Sequence, residues 1–239
     1  MDDTWEGQIG LNVASDYDVI SVKMLAVREG NIILNIGVGL GVFSSYAARV
    51  WNAYTIGIDT SERFLEVAKR RMSEAGVQRR VLLLHADGNR IPLRDGCVDA
   101  AISILTMHNL PLEKMLQVFR ELRRVLVNGG RFVLVEDWAS DPKSEVQHAL
   151  LELMKVLARS GKLCEYRLNY RDYVEILRKA GFEIEEIQFL PRKVFPHKLL
   201  DRAKSLEHDR ATELLRTVSD QGSNSIQVDL TLISSRAKR

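Results

Sequence analysis

A chain of 239 residues is long enough to enclose one sizeable hydrophobic core. Its 46% hydrophobic and 28% charged residues exclude a disordered polymer, and no apolar run approaches the roughly 18 residues that a membrane-spanning helix needs. Thirty-four basic against 32 acidic residues leave a formal charge of +2, without the basic stripe of a nucleic-acid binder. Short basic groups such as Arg79-Arg80 and Arg123-Arg124 read as solvated surface.

The acidic start, Met1-Asp2-Asp3-Thr4-Trp5-Glu6, has no apolar stretch and does not read as a secretory signal, so a cytoplasmic location is expected. Two distant cysteines, Cys97 and Cys164, form no CxxC pair and predict neither zinc nor a disulfide framework.

Apolar spacing predicts a helix over residues 16–28, ending before Gly30-Asn31. Ile32-Ile33-Leu34-Asn35-Ile36 reads as a buried strand that runs into Gly37-Val38-Gly39-Leu40-Gly41. A helix follows from Phe43 to about Val50, then a strand over 53–58 closed by Asp59-Thr60-Ser61. Thr60 or Ser61 can cap the next helix, which stops at Gly76. Strands are expected at 81–84 and 98–105. Between 113 and 126, Met115, Leu116, Phe119, Leu122, Val125 and Leu126 line one helical face that ends at Asn128-Gly129-Gly130. Arg131 to Glu136 is a fifth strand. Helices follow at about 143–160 and 171–180, a strand at 182–190, one helical stretch at about 197–219, and a last strand at 226–234, expected antiparallel at the sheet edge.

The alternation of strand and helix predicts an α/β fold with a mostly parallel sheet covered on both faces. No repeat or linker divides the chain, so residues 1–239 read as one domain. Segments 1–14 and about 141–165 fall outside the strand–helix repeat and are candidate cap elements. In such a sheet, ligands bind beyond the carboxyl ends of the strands, where strand order reverses.

Three signals fall at strand ends. The glycines at 37, 39 and 41 allow a tight turn and close approach of a ligand to backbone. Their GxGxG spacing differs from the dinucleotide fingerprint GxGxxG, with Val42 at the place of its third glycine. Asp59 lies 22 residues after Gly37, where a carboxylate can accept ribose hydroxyls. Asp87-Gly88 follows the third strand, and a side chain there can accept from an adenine amino group. Each has a plainer reading: a simple turn, a helix-end acid, a turn acid.

Together these motifs resemble the class I S-adenosylmethionine-dependent methyltransferases, from about Asp16 to the C-terminus. The resemblance rests on Leu34 to Gly41, Gly57-Ile58-Asp59-Thr60-Ser61, and His85 to Leu93. It extends to Glu121-Leu122-Arg123-Arg124-Val125-Leu126-Val127-Asn128-Gly129-Gly130, similar to the family's E-x-x-R-V-L-K-P-G-G. It implies a Rossmann-like doubly wound seven-stranded sheet whose last strand is antiparallel, and S-adenosylmethionine as cofactor. Gly37, Gly39, Leu40 and Gly41 would hold its methionine end, Asp59 with Thr60 the ribose, Asp87 and Gly88 the adenine, and Ile104 and Leu105 the region of the sulfonium. Asn35 stands where the family usually has an acid that helps hold the cofactor's ammonium group.

The acceptor is less legible. Residues 87–109 are similar to the quinone-biosynthesis C-methyltransferases, but Leu105-Thr106-Met107-His108-Asn109 stands where those enzymes have Phe-Gly-Leu-Arg-Asn, so a quinone is not carried over. Ser103-Ile104-Leu105-Thr106 lacks the N/D-P-P-Y run of nucleobase amine methyltransferases. A small-molecule acceptor is the expectation. RNA or protein methylation is an alternative, as is a non-catalytic S-adenosylmethionine-binding protein, which Asn35 keeps open. A nicotinamide oxidoreductase would share the glycine turn and Asp59 but not Asp87-Gly88. His108 is the one ionisable side chain expected near the methyl group, as a general base or as a loop histidine bonded to backbone. Trp5, Tyr17 and Trp138 are candidates to line an acceptor pocket. No metal site is predicted.

Overall fold

The computed structural model describes residues 16–161, 166, 168–194, 197–204, 209–219 and 226–238. Seven strands run in chain order: β1 (Ile32–Ile36), β2 (Tyr54–Asp59), β3 (Val81–His85), β4 (Val98–Ile104), β5 (Leu126–Asp137), β6 (Phe182–Val194) and β7 (Ile226–Ala237). They form one sheet in the order β3-β2-β1-β4-β5-β7-β6. Pairing is parallel from β3 through β5, and β7 is antiparallel to both β5 and β6. Strand order reverses between β1 and β4, so a crevice opens beyond their carboxyl ends.

Alternation along each strand feeds two cores. Leu34, Ala101, Phe132 and Leu134 face one side, where they meet α4 (Leu112–Val125) and α6 (Tyr170–Lys179). Ile33, Ala100, Ile102, Val133 and Val135 face the other, against α1 (Asp16–Leu25) and α2 (Val42–Val50). On α4, Met115, Phe119, Leu122 and Val125 are buried as the helical spacing predicts, whereas Leu116 is only partly buried, Leu126 belongs to β5, and Val118 joins the buried face unpredicted. Between β2 and β3, α3 (Glu62–Glu74) is capped by Ser61, whose hydroxyl accepts from Phe64 N at 3.3 Å. Beyond β5, α5 (Glu145–Arg159) packs with α7 (His197–Lys204) and α8 (Asp209–Ser219) around Trp138 and Val228.

Three expectations are corrected. The last strand is antiparallel but is not at the edge: β7 lies between β5 and β6, and β6 takes the edge. From Asp229 to Ser235 the polar residues along it face packed structure, whereas Gln227 near its start is exposed. Thr231, Ser234 and Ser235 are all buried, and Ser235 Oγ donates to the Phe132 carbonyl at 3.2 Å. The stretch expected as one helix over 197–219 contains two, α7 and α8. Finally, α4 stops at Val125 and β5 begins at once. Leu126 is already extended and pairs with Val98, while Gly129, at φ +77°, sits in the irregular stretch before regular pairing begins at Ala100–Arg131.

No helix among the described residues is long and apolar enough to cross a membrane. The expected cap segment 1–14, with Trp5, lies outside the described residues, as does Cys164.

Thr231 offers a test of the buried β7 strand. Its hydroxyl is buried without a hydrogen-bond partner among the described residues. A buried, unpaired hydroxyl costs free energy that an isosteric methyl does not. Thr231→Val should raise stability by about 1 kcal/mol in urea denaturation; a loss of stability would mean that the hydroxyl is hydrogen-bonded.

Candidate active site

The turn after β1 is built from glycines for separate reasons. Gly37, Gly39 and Gly41 all have positive φ, at +70°, +51° and +76°. A Cβ on Gly37 would strike the Thr106 side chain, and one on Gly41 would lie 2.5 Å from Met72 Cε. Gly39 is different: a Cβ there would find its nearest neighbour at 4.0 Å, so the space above its backbone is open. Gly37 and Gly41 therefore serve packing, and Gly39 leaves room for a ligand. The loop is also held from below, where the half-exposed to buried α3 face supplies Arg71, whose Nε donates to the Leu40 carbonyl at 2.9 Å.

Asp59, at the end of β2, accepts from Gly39 N through Oδ2 and from Ser61 N through Oδ1, both at 2.9 Å. One carboxylate thus ties the glycine turn to the start of α3, and each oxygen keeps a lone pair for a further donor. Asp87 is exposed, and its Oδ1 accepts from Asn89 N at 3.1 Å. Asn35 is buried; its Nδ2 donates to Ser44 Oγ at 3.1 Å, and its Oδ1 has no partner among the described residues.

These groups share one cleft of about 520 Å³, within the usual range for a small-molecule or cofactor site. Of the sequence-predicted positions, Asn35, Gly37, Gly39, Leu40, Asp59, Thr60, Asp87, Gly88, Ile104 and Leu105 line it. Gly41 does not; it packs beneath, against α3. Thr106, Leu110 and Val118 join the lining without having been anticipated.

His108 is not in the lining. It is buried, and its Nδ1 lies 2.6 Å from Glu136 Oε2. Glu136, at the end of β5, is 1% exposed, and its other oxygen accepts from Thr106 N at 3.2 Å and Met107 N at 2.8 Å. A single buried carboxylate therefore fixes the turn after β4. That turn includes Leu105, held at φ +51°, a conformation a leucine adopts only under such constraint. Sequence reasoning missed Glu136. The available signal was an acid closing the apolar run Phe132-Val133-Leu134-Val135, at the carboxyl end of a central strand.

His108, Glu136 and Asp137 bring ligand atoms within 4.8 Å of one another. Hydrogen bonds and the Arg192–Asp137 pair at 3.1 Å already occupy them, which leaves an ordinary polar cluster. Trp138 is buried among α5 and α8 rather than lining the cleft, and none of the described residues of the 141–165 cap segment lines it. The Tyr17 side chain lies outside the described residues.

A parallel sheet of this order, with an antiparallel seventh strand inserted beside β5 and a glycine turn at the switch point, defines a Rossmann-like methyltransferase fold. A Bacillus halodurans protein superposes with a TM-score of 0.73 at 20% identity, over 95% of this chain and 100% of that one. Residues 34–134 match the family profile described as Methyltransferase domain. Methyltransferase GfsG of Streptomyces halstedii is 31% identical over 73% of this chain and 60% of its own length. The demethylmenaquinone methyltransferase of Clavibacter sepedonicus is 33% identical over 63% and 59%. The chain thus spans about three fifths of the length of these relatives. Residues 34–134 thus carry a methyltransferase domain, and the chain is similar to S-adenosylmethionine-dependent methyltransferases of the class I fold.

Removing Glu136 should expose how much rests on it. In Glu136→Ala two backbone donors and His108 lose their acceptor, at about 1–3 kcal/mol for each buried group left unpaired. Thermal denaturation should show a large loss of stability. Glu136→Gln, which keeps a carbonyl oxygen for Thr106 N and Met107 N, should recover much of it. Equal losses in the two variants would show that the turn does not hang on those bonds.

Proposed function

We propose that this protein transfers a methyl group from S-adenosylmethionine to a small-molecule acceptor. One observation carries the reading: Asn35, Gly39, Asp59 and Asp87 are ranged along a single cleft at the point where strand order reverses. They match, in order, the polar demands of an ammonium group, a close-packed chain, a ribose and an adenine. The unpartnered Asn35 Oδ1 is an acceptor awaiting a donor, and the open space over Gly39 admits a ligand chain. The cofactor supplies an electrophilic methyl group on a sulfonium. The protein's part is to hold that methyl in line with an acceptor, which alone supplies much of the rate.

His108, expected beside the methyl group, lies just behind the cleft wall in the turn whose Leu105, Thr106 and Asn109 line it, and it is the candidate general base only in this reading. In the tautomer where Nδ1 donates to Glu136 Oε2, Nε2 is the nitrogen that can take up a proton. Nε2 has no partner among the described residues.

Titration calorimetry tests the cofactor. S-adenosylhomocysteine should bind and NAD should not. Asp59→Asn, which retains a single carbonyl oxygen, should weaken binding by roughly tenfold or more through loss of a charge-assisted bond to ribose. Binding of NAD with no response to S-adenosylhomocysteine would overturn the reading.

Once a screen for S-adenosylhomocysteine release identifies an acceptor, His108→Gln should lower turnover by roughly 10²–10⁴ while leaving cofactor affinity nearly unchanged. Gln retains a donor toward Glu136, so an unchanged rate would remove His108 from the chemistry without implicating the fold.

A further inference from the structure

The E-x-x-R stretch of α4 does something that its position on a helix does not suggest. A Glu and an Arg at i and i+3 usually form a solvated surface pair of small energetic consequence. Here all five N–H donors of Arg124 are engaged. Nε and Nη2 hold the two Glu121 oxygens at 2.8 Å each. Nη2 also donates to the Ile91 carbonyl at 2.9 Å, while Nη1 donates to the Leu93 carbonyl and to Asp95, both at 2.8 Å. Glu121 Oε2 in turn accepts from Ile91 N at 2.9 Å.

The pair therefore grips both polar groups of one peptide residue, Ile91, whose side chain is buried in the core beneath. Further along, Gly96 N and Cys97 N donate to the carbonyls of Arg124 and Val125 at 2.9 and 2.8 Å. The whole segment from Ile91 to Cys97 is strapped to the end of α4. Only Asn89 and Arg90 separate this strap from Asp87 and Gly88, which line the cleft, and Arg90 N donates back to the Asp87 carbonyl at 3.1 Å. The same helix places Val118 in the cleft wall.

We propose that Arg124, oriented by Glu121, is a positioning residue for the cofactor's adenine. It fixes the loop after β3 so that the Asp87 carboxylate, itself exposed and tied only locally, meets the purine amino group. This rests on the cofactor reading above. The guanidinium fork is essential because five acceptor atoms, on Glu121 of the same helix and on Ile91, Leu93 and Asp95 of the loop, must be bridged at once, which a lysine ammonium cannot do. Arg124's hydrogen bonds, aided by the Ile91 amide and the nearby charge of Arg90, outweigh burial and hold the Glu121 carboxyl below the usual carboxylate range; Asp95 shares the guanidinium. A lowered folded-state value means that the pair's contribution is complete above the ordinary carboxylate range. It is lost as pH falls through the lowered value.

The test compares S-adenosylhomocysteine with S-inosylhomocysteine, in which the purine amino group is replaced by an oxo group. The full chain should prefer the adenosyl ligand by roughly tenfold or more, because a carboxylate built to accept from an amine rejects an oxygen there. In Arg124→Ala and Arg124→Lys that preference should shrink to within about threefold, at a temperature where circular dichroism shows both folded. A merely structural role would weaken both ligands equally and leave the ratio intact, and that result overturns the proposal. If Arg124→Ala does not fold, Glu121→Gln, which keeps the shape of the pair, serves in its place with the same expected loss of preference. A wild-type chain that takes both ligands alike would sink the adenine role of Asp87 and this inference with it. A chain that binds neither would sink the cofactor reading itself.

Discussion

The site depends on a single topological constraint: the chain leaves β1 on one side of the sheet and returns to β4 on the other. Helices that follow β1 and β4 must then cover opposite faces, and among the described residues a cleft opens between their first turns. The cost is a set of backbone N–H groups at strand ends with no ladder partner. Carboxylates discharge that cost. Asp59 takes Gly39 N and Ser61 N, and Glu136 takes Thr106 N and Met107 N. At the opposite end of β1, Asp99 accepts from Ile32 N at 2.7 Å. Acids at strand ends are therefore as much part of the fold as of the site. Reading them only as ligand contacts would understate what their loss does to stability.

This dual duty separates two kinds of acid in the cleft region. Glu136 is fully enclosed and satisfied by donors of the protein, so it shapes the turn and touches the ligand space only through Thr106 and Leu105. Asp87 is exposed and bonded only to Asn89 N, so it is free to recognise something and needs outside help to stay in place. The strap from Glu121 and Arg124 supplies that help from a different element. On the proposed reading, rigid positioning by neighbours, rather than by Asp87's own bonds, would let this surface carboxylate discriminate.

The legible part of this molecule was the part governed by local chemistry. The β1 bounds were read as they stand, and the glycine turn, the Ser61 cap and the α4 stripe each follow from residues within a few positions of one another. Glu136 was missed because its partners, Thr106, Met107 and His108, lie about thirty residues away in sequence. The edge assignment of β7 failed for a related reason. Alternating hydroxyl residues look the same whether they face water or another packed layer, and only the long-range pairing with β5 and β6 decides it. Arg124 was visible as a motif residue, but the sequence does not show that its fork reaches Leu93 and Asp95.

Asn35 shows how the same logic reaches a residue that departs from its family's habit. The position is buried on β1 between Gly57 of β2 and Ile102 of β4, with its side-chain amide bonded to Ser44. An ionised acid there, without a ligand, would sit as a buried charge with a hydroxyl for company, and such a charge is expensive. An amide removes that cost from the ligand-free protein while still offering Oδ1 as an acceptor toward the cleft. What it gives up is charge: an ammonium group gains more from a carboxylate than from an amide oxygen. The acids lining the cleft are then Asp59 and Asp87, and on the proposed reading adenosine recognition carries the greater share of cofactor binding. That places the burden on the loop that Arg124 holds.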